Sequence, residues 1–255
     1  MSNLAHLKRC CAGCKQSGVP MNKEHIFPEW LIERTGTNAT GIRWLFNKKI
    51  PASSATIPLC TRCNSDFADQ LENPTKNLFD DIEAGRGISD FEVELFVRWL
   101  WKIKGMAWIA NHPQGRYSRK GYSLRERVLL PIEEVRNQLT FAIALIKNVQ
   151  PEFGDSPMGV DSITHYDANF VSGVFSRIAV MVLLKDFVKM VPPQFKLYQL
   201  APERSEMLSG KFIIPPVSFA DCVEAVAITK SASVYLSNAH DQLAKLRLQT
   251  MMPNS

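Results

Sequence analysis

At 255 residues with 45% hydrophobic side chains, the chain has enough apolar material for a sizeable core, which excludes an intrinsically disordered protein. No run approaches the roughly 18 uncharged apolar residues of a membrane span, and Met1-Ser2-Asn3-Leu4-Ala5-His6-Leu7-Lys8 lacks an apolar signal core, so the expectation is a cytoplasmic protein with no membrane partner. The net charge of +5 is mild, with +3 of it in the first 75 residues, and by itself it neither demands nor excludes a polyanionic partner.

The first 75 residues are rich in turn formers, at Ser17-Gly18-Val19-Pro20, Thr35-Gly36-Thr37-Asn38 and Pro51-Ala52-Ser53-Ser54. Such punctuation suits a small unit held together by a metal in place of a large core. Cys11-Ala12-Gly13-Cys14 and Cys60-Thr61-Arg62-Cys63 are two Cys-x-x-Cys pairs, each able to present two thiolates to one ion from a single turn. A closed structural Zn²⁺ site needs four ligands, so the expectation is one site built from both pairs, with 45 residues inserted between Cys14 and Cys60. Cys10 lacks the right spacing to Cys14, and Cys222, in an apolar stretch, reads as an inert buried thiol. A short helix is expected over Pro28–Arg34, with proline near its first turn. Another is expected from Asn64, interrupted at Asn73-Pro74, where a domain boundary is placed.

Beyond that boundary, Ser89-Asp90-Phe91-Glu92 reads as a capping box, and Phe91, Leu95, Trp99 and Ile103 keep the rhythm of a buried helix face. Trp101 and Trp108 widen this stripe, which reads as core in preference to a base-stacking platform. His112–Gly121 reads as a solvated loop carrying three cations and a tyrosine. Leu139–Ile146 is assigned to a strand, while Ile178–Leu184, preceded by Phe170–Phe175, fits a strand or a buried helix equally. A last helix is expected from about Ser237 to Thr250.

The order Cys-x-x-Cys, then Glu24-His25 with Pro28 following, then Cys-x-x-Cys-Asn64, resembles the zinc-stabilised HNH endonucleases over about residues 8 to 75. The resemblance implies a small zinc-bound ββα-metal module over 1–75. Together with the helix and strand signals downstream, the expectation is an α+β protein whose larger mixed helix and strand domain over 76–255 serves recognition, partner binding or oligomerisation. The resemblance implies His25 as the base that activates water. It also implies Glu24 and the Asn64 side-chain oxygen as ligands of a catalytic Mg²⁺ or Mn²⁺, distinct from the structural zinc on Cys11, Cys14, Cys60 and Cys63. These roles suit phosphodiester hydrolysis: an imidazole with a pKa near 6.5 accepts a proton at neutral pH, and hard cations prefer oxygen donors.

The expected partner is DNA, in bacterial defence or mobile-element biology, with a protein partner or a second copy as a further expectation for the C-terminal part. Arg43, Lys48, Lys49 and Arg62 are the candidate phosphate contacts, and they read equally as ordinary exposed cations. The chain departs from the family's pattern in having Glu-His where Asp-His is frequent, and in having no histidine after Asn64. That leaves Asp66 or Asp69 as an extra ligand or as solvated carboxylates, and Asn38 or Asn47 as the asparagine that braces the module. The competing reading keeps the zinc unit as a scaffold that binds nucleic acid or protein without cutting.

Overall fold

A computed structural model describes residues 10–44, 48–111, 123–133, 135–149, 158–160 and 170–251. The His112–Gly121 loop and Asn47 lie outside these residues. A bridge between Cys10 and Ser17 closes the first cysteine turn, and strand β1 (Met21–His25) follows. Pro28 then opens helix α1 (Glu29–Thr35): its carbonyl receives the Leu31 and Ile32 N–H groups, and Gly36, at φ 63°, ends the helix in the left-handed conformation that glycine adopts without strain. A single turn α2 (Thr37–Thr40) leads to a short antiparallel pair, β2 (Ile42–Arg43) and β3 (Lys49–Ile50). Strand β4 (Thr56–Cys60) returns antiparallel to β1, with Met21 opposite Cys60 and His25 opposite Thr56.

From β4 the chain enters helix α3 (Thr61–Phe67), a π-helical turn (Ala68–Glu72) and helix α4 (Asn73–Glu83) without a break. The expected interruption at Asn73-Pro74 is therefore absent. A proline ring inside a regular helix collides with the carbonyl four residues earlier, and the wider π turn upstream gives Pro74 the room it needs.

Helix α5 (Asp90–Asn111) begins at the Ser89 and Glu92 box: the Ser89 N–H and hydroxyl donate to the Glu92 carboxylate, each at 2.8 Å. Helix α6 (Leu124–Leu129) carries a second such box at Ser123 and Glu126. Strands β5 (Leu139–Asn148), β6 (Met158–Val160), β7 (Val171–Phe175), β8 (Ile178–Leu184), β9 (Lys196–Gln199) and β10 (Val217–Asp221) form one sheet, in the order β10-β5-β8-β7-β6 with β9 also on β5. All pairings are antiparallel except that of β10 with β5. Helix α7 (Cys222–Met251) closes the fold.

The sheet is covered on both faces. Leu139, Phe141, Ile143 and Leu145 of β5 join the core that contains α5, while Ala142, Ala144 and Ile146 join the core under α7. A strand buried on both sides reads as a continuous apolar run, which is why Ile178–Leu184 carries no period that separates strand from helix. The first core runs without interruption from Cys11 and Phe27 through Phe67 and Trp99 to Phe141 and Phe175, so elements on either side of residue 75 share it. The protein is thus mixed α+β, and among the described residues no helix is long and apolar enough to cross a membrane.

Two further expectations are corrected. Phe91 is 46% exposed, whereas Val93, Phe96, Val97, Leu100 and Ile103 are buried: α5 lies between the N-terminal elements and the sheet, so its buried surface wraps most of the helix and does not follow one stripe. The last helix starts at Cys222, well before Ser237, where Asp221 caps it by accepting the Glu224 N–H at 2.9 Å.

Trp99 is fully buried at the centre of α5, with ring centroids 5.0 Å from Phe175, 5.5 Å from Phe79, 5.6 Å from Phe96 and 6.3 Å from Trp30. Trp99→Ala is expected to cost about 3–5 kcal/mol in urea unfolding, and Phe91→Ala within about 0.5 kcal/mol. Equal costs for the two would contradict this account of α5.

Candidate metal centre

The first cysteine turn is drawn tight by the Lys15 N–H on the Cys11 carbonyl at 2.9 Å and by the Cys11 N–H on the Gln16 carbonyl at 2.8 Å. The second forms where β4 becomes α3, with Cys60 as the helix N-cap residue. The Ala12 N–H donates to the Pro58 carbonyl at 2.9 Å and sews the two turns together. As a result the Sγ atoms of Cys11, Cys14, Cys60 and Cys63 all lie within 4.8 Å of one another, with Cys14 and Cys60 at 3.8 Å. A tetrahedron with Zn–S bonds of about 2.3 Å has edges of about 3.8 Å, so the four thiols are spaced for one tetrahedral ion such as zinc. Cys10 is outside the cluster, as its spacing required, and Cys222 is buried, its thiol pushed up to about 11 by desolvation.

Backbone donors face the sulfurs: the Cys60 N–H reaches Cys11 Sγ at 3.2 Å and the Cys63 N–H reaches Cys60 Sγ at 3.5 Å. The Cys63 thiol also bonds Cys11, which holds Cys11 well below the usual thiol range, while the same bond and then burial drive Cys63 upward; burial likewise raises Cys14. Four crowded thiols cannot all ionise against one another without a cation. Metal binding at this site therefore expels protons. Gly13 leaves the sulfurs room, since a Cβ there would lie 2.9 Å from Cys63 Sγ.

Helix α6 reinforces the clamp. The Arg125 N–H donates to the Gly13 carbonyl at 3.0 Å, and the Arg125 guanidinium donates through Nε to Asp66 at 2.9 Å and through a second nitrogen to the same oxygen. Asp66 is thus engaged by Arg125, with Arg62 a further 3.9 Å away, and Asp69 is exposed.

Beside the clamp, α3 packs against β1 and sets the Asn64 amide near enough to Glu24 to favour its ionised form. Strand alternation sets Glu24 with Ile57 and Leu59 on the buried face of the β1–β4 pair, and His25 with Thr56 on the other face, half-buried at the strand end. Burial pushes the Glu24 carboxyl above the usual carboxylate range. The Lys102 ammonium opposes that shift, the Glu72 charge adds to it, and His25 and the Asn64 amide oppose it. Lys102 is fully buried on α5 and pairs with Glu72 at the end of the π turn.

Arg43 and Lys49 face each other across β2 and β3, with Lys48 adjoining, and all three are exposed; Arg62 is exposed at the start of α3. Asn38 accepts a bond from Ser53 and braces the insert between the knuckles. Lys102, Glu72 and Arg125 were not singled out from the sequence. The signal for Lys102 was a lone cation inside the apolar Trp99-Leu100-Trp101-Lys102-Ile103 run, which in a buried helix demands a partner. No family model, no curated protein and no solved structure matches this chain.

Cys63→Ser is expected to lose the metal and unfold the N-terminal elements, and Gly13→Ala to weaken zinc affinity about 10–100-fold, measured by competition with a chromophoric chelator. Parental affinity in Gly13→Ala would show that the glycine is incidental. Glu24 gives a second expectation. Its folded pKa is raised, so the unfolded chain loses this proton first, and stability falls as pH rises from the ordinary carboxylate range to the raised value. Glu24→Gln should therefore melt higher than the parent at neutral pH, the gap closing towards about pH 4; a constant gap across pH would refute the burial argument.

Proposed function

We propose that this chain is a metal-dependent endonuclease of the HNH type that hydrolyses DNA phosphodiester bonds. The observation that carries the reading is the packing of α3, the helix that the four-cysteine cluster anchors, against β1, which sets the Asn64 amide near the Glu24 carboxyl of the strand bearing Glu24-His25. The antiparallel β1–β4 pair running into α3 supports it as well.

The four thiols suit a structural Zn²⁺, and Glu24 with Asn64 suits a harder cation. Both offer oxygen donors, a carboxylate and an amide carbonyl, of the kind a hard divalent cation prefers. A bound Mg²⁺ or Mn²⁺ supplies Lewis-acid stabilisation of charge on the phosphate and the departing oxygen. His25 accepts the proton of the attacking water. In-line displacement needs the base and the leaving oxygen on opposite sides of phosphorus. Neighbours on opposite faces of one strand, Glu24 and His25, divide those tasks.

The β2–β3 pair sets Arg43 directly opposite Lys49, so two exposed cations share one face of this ribbon, an arrangement suited to a polyanion. Arg43, Lys48, Lys49 and Arg62 accordingly hold the DNA backbone without reading bases. The larger C-terminal part adds docking for a protein partner or a second copy.

Purified protein and its His25→Ala variant, incubated with supercoiled plasmid in Mg²⁺, Mn²⁺ or EDTA at low salt, test the reading. Nicking by the parent is expected to stop in EDTA and to fall at least about 100-fold in His25→Ala. Full metal-dependent cleavage by His25→Ala would remove the base assignment. Silence from both, with DNA still retarded in a gel, would leave a zinc-scaffolded binding module.

A further inference from the structure

The catalytic groups proposed above lie on β1 and α3, yet the Glu24 carboxyl also lies within reach of a charge that comes from the C-terminal part. In a regular helix 100° separates successive residues, so a seventh residue returns to within about 20° of the first and an eighth stands about 80° away. Glu72 is the eighth residue after Asn64. The π turn Ala68–Glu72 takes up one extra residue, so Glu72 falls where the seventh would, on the side of the helix that Asn64 occupies. Helix α5 packs across this turn and across β4. It delivers Lys102, whose fully buried ammonium is paired with Glu72 and lies within electrostatic reach of Glu24.

We propose that Lys102 is a positioning residue of the nuclease centre and Glu72 its anchor, so that α5 is part of the catalytic apparatus and not merely its support. The inference rests on the nuclease reading above. Two carboxylates within each other's field repel, and an ammonium paired with one and attracting the other limits where both can sit. The Asn64 amide on α3, which packs on β1, and the Lys102 ammonium on α5, which packs on β4, both attract the Glu24 carboxylate. Together they set the orientation in which it meets a divalent cation. Lys102 has no solvent-exposed surface and does not touch DNA; its effect passes through Glu24. The π turn is what this arrangement requires, because without it Glu72 would be carried round the helix and the ammonium would lose its anchor.

The test uses the full chain as Lys102→Met, Lys102→Arg and the double variant Glu72→Gln/Lys102→Met, which removes the buried ammonium and its half-buried partner together and folds even where the single neutral variant does not. Mn²⁺ binding is followed by the electron paramagnetic resonance of free Mn²⁺ in a His25→Ala background, so that the readout is independent of cleavage, and nicking is followed in the His25 background. The double variant is expected to keep the zinc content and melting temperature of the parent, to need about tenfold more Mn²⁺ for half-saturation, and to nick more slowly at saturating Mn²⁺ with an unchanged KM for plasmid. Lys102→Arg is expected to restore most of the Mn²⁺ affinity. Parental Mn²⁺ affinity and turnover in the folded double variant would overturn the inference and leave the nuclease reading standing. A parent that neither binds Mn²⁺ nor nicks would bring down both.

Discussion

Four sulfur atoms held within 4.8 Å join two chain segments that lie 45 residues apart, and the position of every candidate catalytic group follows from that junction. The second cysteine turn is at once the end of β4 and the first turn of α3. Fixing its sulfurs fixes the direction in which α3 leaves the strand pair, and so where Asn64 stands relative to Glu24. Crowded thiolates repel one another, so a metal ion held by the four sulfurs would tighten the same junction.

Around this clamp the larger part of the chain works as a wall. Helix α5 is buried on nearly all sides, touching the N-terminal elements through Trp99 and Lys102 and the sheet through the same core. Helix α6 adds a second tie through Arg125, one bond to the backbone of the first cysteine turn and two to the helix that follows the second. Breaking a buried ion pair by removing one partner typically costs about 3–5 kcal/mol, whereas replacing both partners by apolar groups is often neutral. A pair such as Lys102 with Glu72 is therefore a poor way to gain stability alone. Its charge is felt at Glu24, and the proposed positioning role would account for its presence.

What was legible in the sequence depended on how local each signal was. The cysteine cluster could be read from two spacings because ligand geometry acts over three residues at a time, and the box at Ser89 and the turn at Gly36 are local in the same way. The strand Leu139–Asn148 was legible from its β-branched apolar run. Ile178–Leu184 was not, because burial on both faces erases the alternation that marks a strand. The start of α7 was hidden by its Val, Thr and Ser content, although Asp221 and Glu224 were in place as a capping pair. Glu72, Lys102 and Arg125 could not have been assigned to the site from spacing alone. The first depends on a π turn that shifts helix phase by one residue, and the others on contacts between segments 30 and 59 residues apart.

The bond from the Arg125 N–H to the Gly13 carbonyl joins the first cysteine turn to a residue more than a hundred positions later. During synthesis at about 5–20 residues per second, the Gly13 turn precedes its brace by roughly 5–20 s. Both cysteine turns are made long before α5 and α6 can pack over them, and for that interval the thiols and the apolar face of α3 have no wall. Early capture of a metal would shield the thiols from oxidation while the remainder of the chain is still being made. The clamp would then act first as a guard on a nascent chain and only later as the frame of a site.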